Sequence, residues 1–356
     1  MTRPLGFAIV GCGMIARFHA RALREVSGTR VVALVSRQHG NAEKVLAETN
    51  TPRCEIYSDL DSALSQPDLD VVIITTPSGN HLEPAVAAAR AGKHVVVEKP
   101  LEITPERCDA IIDACGQAGV KLCTIFPSRF ADANMELKKA VEAGRFGKLT
   151  LGETTCKWWR SQQYYDEGGW KGTKALDGGG ALMNQAVHNV DLLLWLMGPA
   201  THVCGFTATL AHERIEVEDT AVACLRFANG ALGTITAATS VHPGYPKTIA
   251  VHGDRGTAVI EQEDVLRWDF HPPTPDDERV RERFAMRIGA SGGSSNPAAI
   301  SHVGHARQLA DFVDSIRHNR PPLVDGREGR RAVAVIRAIY QSAASGRTVA
   351  LAEPGA

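Results

Sequence analysis

Glu98-Lys99-Pro100 follows a run of valines, Val95-Val96-Val97, and puts a carboxylate and an amine side by side where a strand should end. In a parallel sheet the C-terminal strand ends are where ligands bind. An amine there can hydrogen-bond a carbinol oxygen, and burial would lower its pKa so that it can pass a proton. A strand-end ion pair is the plainer reading of the same residues. Further on, Asn184 and His188 stand four residues apart, with Asp191 three residues beyond. On an α-helix those spacings bring all three side chains to one face. An amide cannot exchange a proton, so Asn184 can orient substrate but cannot act as acid or base. An imidazole in solution has its pKa near neutrality, which makes His188 the candidate base; its alternative is a buried imidazole bonded to backbone. Asp191 can orient that imidazole or hold structure. No further ligand with recognisable spacing supports a metal site on these residues, and none is expected.

Gly11-Cys12-Gly13-Met14-Ile15-Ala16 has the form G-x-G-x-x-A and lies between an apolar run and a helical stretch. This is a dinucleotide fingerprint: Gly11 permits a tight turn, Gly13 lets a pyrophosphate approach the backbone, and Ala16 lets helix and sheet pack closely. The backbone N–H groups at Met14 and Ile15 then face the phosphate with the positive end of the helix dipole. The second apolar run ends Val35-Ser36-Arg37, without the carboxylate that usually holds the adenosine ribose hydroxyls. Arg37 suits a 2′-phosphate, which favours NADP over NAD. Alternatively Arg37 stacks on adenine or meets solvent, and NAD binds through Ser36 and the backbone.

Trp158, Trp159, Arg160, Tyr164, Tyr165, Trp170 and Lys171 crowd one stretch of a chain with five Trp and five Tyr in all, a strong local enrichment. Aromatic faces stack on sugar rings, and cationic side chains bind hydroxyls or a carboxylate. Arg129 is a further substrate candidate. The same aromatics would equally pack a loop to a sheet or a subunit to its partner, and Arg129 would equally form a structural ion pair.

The elements that must hold these residues fall into two sets. Strands are expected over 5–10, 31–35, 71–75, 94–97 and 121–125, alternating with helices over 14–25, 41–48, 81–91 and 105–118. Short Val- and Ile-rich runs without polar alternation mean strands buried on both faces, hence a parallel sheet covered by helices. After a helix at 131–143, an extended stretch at 148–159 and a helix at 181–197, strands joined by short turns dominate to 268, which means a mainly antiparallel sheet. Ala228-Asn229-Gly230 is a hairpin signal. The Gly/Ser-rich segment 289–296 reads as a flexible loop, and helices at 302–318 and 329–345 finish the chain. The expected domains are 1–125 for dinucleotide binding and 126–356 for substrate binding and oligomerisation, with the last helices able to pack back on the first.

Composition sets outer bounds. A formal net charge of −1 leaves no basic field for nucleic acid or an anionic membrane. Hydrophobic residues at 44% match a globular protein with a real core. Eight scattered cysteines without C-x-x-C read as buried free thiols of a reducing compartment. The first apolar run is too short for a signal peptide or a membrane span, so the expected location is cytoplasmic.

With Thr76-Pro77-Ser78-Gly79-Asn80-His81, Ala91-Gly92-Lys93-His94, and Gly178-Gly179-Gly180 leading to His188 and Asp191, these features resemble the Gfo/Idh/MocA (glucose–fructose oxidoreductase / inositol dehydrogenase) oxidoreductases over essentially the whole chain. The resemblance implies an α/β + α+β chain: an N-terminal Rossmann domain, then a C-terminal α/β domain on an open, mainly antiparallel sheet. It implies a catalytic Lys99, with Thr75, Thr76, Pro77, Asn80 and His81 lining the nicotinamide side of an NAD or NADP cofactor together with Glu98 and Lys99. It implies a homodimer or homotetramer. The family's second catalytic element is Asp-x-x-x-His, and Asn184 departs from it. The Met183-Asn184-Gln185 form resembles the subgroup that oxidises nucleotide-linked 2-acetamido-glucuronates at the 3-hydroxyl. The expected activity is hydride transfer between nicotinamide and a secondary hydroxyl of a sugar, inositol, glycoside or nucleotide-sugar. A redox-neutral hydrolase or epimerase with a retained cofactor, and a non-enzymatic dinucleotide sensor, are the rivals.

Overall fold

The computed structural model describes residues 3–51, 54–167, 169–285 and 301–351; the expected loop at 289–296 lies outside them. The chain forms two compact units. One holds residues 1–127 and 301–330, the other residues 128–300 and 331–356. The segment 301–330, placed with the second domain in a simple division at 125, thus belongs to the first unit.

In the first unit, β1 (Leu5–Val10), β2 (Thr29–Val35), β3 (Glu55–Tyr57), β4 (Val71–Ile74), β5 (His94–Val97) and β6 (Leu122–Thr124) form one sheet in the order β3-β2-β1-β4-β5-β6. Every pairing is parallel. Apart from the edge strand β3, the strands are largely buried on both faces, as their lack of alternation demands. The order reverses between β1 and β4, and at such a switch point the strand ends open a crevice for ligand. The helix Met14–Glu25 packs its Ala16, Ala20 and Leu23 on the sheet core of Phe7, Ile9 and Ile73. The helix Val303–Arg317 joins the same core through Leu309 and Phe312, which is why 301–330 belongs here. The edge strand β3 and the helix Leu60–Leu64 were not foreseen. Three and five residues are too few to show a period.

The second unit is built on an eight-stranded sheet. Its strands are β7 (Leu149–Lys157), β8 (Ala200–Ala208), β9 (Thr220–Phe227), β10 (Leu232–Ala238), β11 (Thr248–Gly253), β12 (Gly256–Glu261), β13 (Asp264–Phe270) and β14 (Val349–Ala350), in the order β13-β12-β11-β7-β10-β9-β8-β14. β7 and β10 run parallel; the other pairings are antiparallel. One face carries the long apolar helix. Gly152 lets it approach, since a Cβ there would stand 2.6 Å from Met197, and Asn189 donates to Thr154 Oγ1 at 2.7 Å. The opposite face shows apolar side chains to solvent: Phe206, Val222 and Leu232 are exposed. A helix over Pro275–Arg283 escaped the sequence reading because it is charged nearly all round; its start signal was present, as a capping box between Thr274 and Asp277.

Candidate active site

The first unit brings the dinucleotide fingerprint and the Thr75 turn together. Gly11 has φ +95°, and a Cβ there would stand 2.9 Å from the Thr75 carbonyl oxygen, so only glycine fits. Thr75 Oγ1 donates to the carbonyls of Val10 and Gly11. A Cβ on Gly13 would meet nothing within 4 Å. No side chain caps the helix that begins at Met14, and its first turn carries no acid. Met14 is half exposed and Ile15 partly so. An uncapped helix start over an open glycine is the chemistry a pyrophosphate needs, so these residues fit a dinucleotide. At the end of β2, Ser36 Oγ donates to the Gln38 carbonyl at 2.8 Å, and Arg37 is exposed.

Lys99 is half-buried at the end of β5, and its backbone N–H donates to Glu98 Oε2 at 3.0 Å. Glu98 itself is buried. Its Oε1 lies 2.7 Å from His19 Nε2 and 3.7 Å from His305 Nε2. Burial alone would raise this carboxyl, but the two imidazoles overcome it and hold Glu98 well below the ordinary carboxylate range. Burial pushes the His19 imidazole down, so the neutral ring donates to the ionised acid. This corrects the expectation that Glu98 touches cofactor: it braces the strand end that carries Lys99. His81 is corrected in the same way. It is buried, with Nδ1 3.0 Å from the Pro100 carbonyl and Nε2 3.0 Å from that of Thr76, and so ties the Thr76 turn to the turn after Lys99. Thr76 and Pro77 are half-buried and Asn80 exposed; Thr76 Oγ1 donates to the Asn80 carbonyl at 2.9 Å. His19, Glu98 and His305 form the one cluster of possible metal ligands among the described residues. The 2.7 Å contact is that of a hydrogen bond, shorter than two ligands on one ion would allow.

In the second unit the triple glycine is a cradle for another acid. Glu218 accepts from the Gly180 N–H at 2.9 Å, the Leu182 N–H at 2.8 Å and the Tyr340 hydroxyl at 3.0 Å. A Cβ on Gly180 would stand 1.7 Å from the Glu218 carbonyl oxygen, and one on Gly179 would stand 2.1 Å from the Tyr340 hydroxyl. The segment that follows, Ala181–Ala186, is π-helical, and the α-helix proper is Val187–Met197. Asn184 and His188 are therefore not separated by the regular α-helical turn that their spacing predicts, because a π turn is wider. Exposure places both side chains all the same: from Ala181 to Leu194, Asn184 and His188 alone are not buried.

Around them stand residues of the aromatic cluster. Lys171 Nζ lies 3.7 Å from the centre of the Tyr164 ring, and the Tyr164 hydroxyl accepts from Gln185 Nε2 at 3.2 Å. Arg160 is buried, 5.0 Å from the Trp158 ring and 5.5 Å from the Tyr164 ring. Burial lowers the Lys171 amine. Trp159 bridges Ser240 and stacks edgewise on His242, and Trp170 is half-buried. Two expectations are corrected. Tyr165 is buried, its hydroxyl 2.8 Å from Thr239 Oγ1, and it packs the cluster to the sheet. Asp191 takes a two-pronged grip from Arg129, Nε at 2.8 Å and Nη2 at 2.6 Å, with both residues buried. That pair is internal structure rather than a substrate contact. Asp177, Glu218, Tyr340, His19 and His305 escaped the sequence reading. Asp177 abuts the triple glycine and was the one with a local signal; the others come from far along the chain.

Residues 5–126 match the oxidoreductase family model with an NAD-binding Rossmann fold, and residues 134–259 match the Gfo/Idh/MocA C-terminal domain. The WlbA dehydrogenase from Bordetella pertussis, solved in complex with NADH and UDP-GlcNAcA, is 34% identical; the match covers 98% of this chain and 99% of that one with a TM-score of 0.87. Myo-inositol 2-dehydrogenase of Thermotoga maritima is 26% identical over 97% of this chain and 98% of its own length. Levoglucosan dehydrogenase of Pseudarthrobacter phenanthrenivorans is 28% identical over 81% of each. The chain belongs to the Gfo/Idh/MocA oxidoreductases. It is an oxidoreductase with an NAD-binding Rossmann unit.

Proposed function

We propose that the protein is an NAD(P)-dependent dehydrogenase of a secondary hydroxyl on a sugar-like substrate, with nucleotide-linked uronates the first class to try. The reading is carried by Asn184 and His188, the two residues left partly exposed in the buried run from Ala181 to Leu194, beside the Tyr164 ring and the Lys171 amine, which suit a sugar ring bearing a carboxylate. The likeness to the WlbA dehydrogenase supports that substrate class.

The dinucleotide, when bound, supplies the hydride acceptor. The backbone at Gly11, Gly13, Met14 and Ile15 holds its pyrophosphate, and Ser36 and Arg37 meet its adenosine end, where Arg37 favours a 2′-phosphate. Thr75, Thr76, Pro77 and Asn80 shape the nicotinamide side. His188 takes the hydroxyl proton at an imidazole nitrogen. The Lys99 ammonium stabilises the negative charge that develops on the substrate oxygen. Asn184 orients the hydroxyl.

The test is the initial rate of nicotinamide reduction with NAD and with NADP, across nucleotide-linked uronates, inositols, free sugars and glycosides. Lys99→Ala and His188→Ala are run beside the wild type. Turnover that falls at least about a thousandfold in both variants supports the reading, since each group acts on the reacting oxygen. Turnover that survives in both overturns it. No net reduction, with a dinucleotide that co-purifies and glycosides that are still cleaved, would establish instead the redox-neutral enzyme that recycles its cofactor.

A further inference from the structure

Asp177 stands among the second unit's site residues, directly before the triple glycine. Its carboxylate is buried and held in place by its own loop: Oδ2 accepts from the Gly172 N–H at 2.8 Å, and the Asp177 N–H donates to the Thr173 carbonyl at 3.1 Å. The other oxygen, Oδ1, lies 2.5 Å from Asn184 Nδ2. A carboxylate only accepts, so the amide must turn its NH2 toward Asp177, and its carbonyl oxygen is set on the opposite side. Hydrogen bonds to an ionised partner are the short, strong ones, and this one fixes an amide that would otherwise flip between two near-equivalent orientations. Asp177 also faces the Tyr164 and Lys171 end of the cluster, where its negative charge favours the ammonium of Lys171.

We infer that Asp177 is a positioning residue of this enzyme, acting on substrate through the Asn184 amide that it orients. The inference rests on the dehydrogenase reading and deepens it. The pair works because one member is an amide and the other an acid. Two amides lose the charge-assisted bond and the fixed orientation. Two carboxylates at this distance cannot both ionise and must share a proton. Exchanging the two side chains keeps one amide facing one acid, and an asparagine at 177 still accepts from the Gly172 N–H through its carbonyl.

The experiment compares wild type, Asp177→Asn, Asn184→Asp and the double exchange. It measures kcat and KM across pH on the best substrate of the panel, with dinucleotide affinity and thermal melting as controls. Each single variant is expected to lower kcat/KM by at least about tenfold, the cost of a substrate group held slightly out of place. The double exchange is expected to recover to within about fivefold of wild type, because contacting residues are not additive. Asn184→Asp alone should add an ionisation to the pH profile that neither the wild type nor the exchange shows. A role confined to the loop would leave the double exchange as poor as the product of the singles, and that result overturns the inference, as does wild-type kinetics in Asp177→Asn. If Asp177→Asn fails to fold, the pH profile of Asn184→Asp and the recovery in the exchange decide the matter. Failure of the wild type to turn over any compound overturns the dehydrogenase reading and this inference with it; turnover with an unaffected Asp177→Asn overturns this inference alone.

Discussion

Lys99 and Glu98 are neighbours in sequence with different work. Glu98 points inward to His19 and His305, while Lys99 is left half-buried at the strand end. The same division separates His188 from Asp191, three residues on, whose carboxylate is gripped by Arg129. Replacing Arg129 by Met would strand the Asp191 charge in the interior, and loss of one member of a buried pair costs about 3–5 kcal/mol. Arg129→Lys should recover little of it, because an ammonium cannot make the two-pronged contact. Urea denaturation of both variants measures this. At the adenosine end, Arg37→Ala should raise KM for NADP at least about tenfold and leave KM for NAD nearly unchanged, since only the former presents a 2′-phosphate. Equal effects on the two cofactors would assign Arg37 to adenine stacking or to solvent.

At the scale of elements, the triple glycine has a packing reason. The helix start must lie against the backbone of Glu218 and the hydroxyl of Tyr340, and no Cβ fits between them. Gly180→Ala is therefore expected to destabilise by at least about 4 kcal/mol, the range reached by severe overpacking, and to disturb the π-helical turn that carries Asn184. A melt and amide exchange at Leu182 would show both effects. Glu218 also makes this element pH-sensitive. Burial raises its carboxyl from 4.5 to about 7, against hydrogen bonds from the Leu182 and Gly180 amides that pull the other way. The native state then holds a proton that the unfolded chain has released, so this group's stabilisation is full below pH 4.5 and is lost as pH rises through 7. At about 1.4 kcal/mol per pH unit the loss is on the order of 3 kcal/mol. Glu218→Gln should flatten the dependence of stability on pH across that window.

At the scale of the molecule, the second unit's sheet leaves one face to solvent. Phe206 and Val222 are opposite each other across β8 and β9 and are both exposed, with Leu232 on the neighbouring strand. A face of this kind is expected to bury itself against another copy, as a dimer or tetramer. Phe206→Glu with Leu232→Glu should shift the mass seen by light scattering toward the monomer. An unchanged mass would mean that this face is not the contact. No helix among the described residues is long and apolar enough to cross a membrane.

By itself the sequence determined the parallel sheet, the fingerprint loop and the position of Lys99, because each depends on local signals: apolar runs, glycines at fixed spacing, a strand end. It determined the mainly antiparallel sheet in the same way, from strands joined by short turns. Only the tertiary structure decided which polar side chains face inward. Glu98, His81 and Asp191 carry the residue types of ligand contacts, yet their partners, His19, Pro100 and Arg129, lie far away in sequence. Glu218, the partner of the triple glycine, was hidden for the same reason, whereas Asp177 lies only seven residues from Asn184 and its partnership depends on how the intervening glycine turn folds. Hydrogen-bond satisfaction of a buried group is decided by whatever the fold brings within 3 Å, and periodicity along the chain carries no record of it.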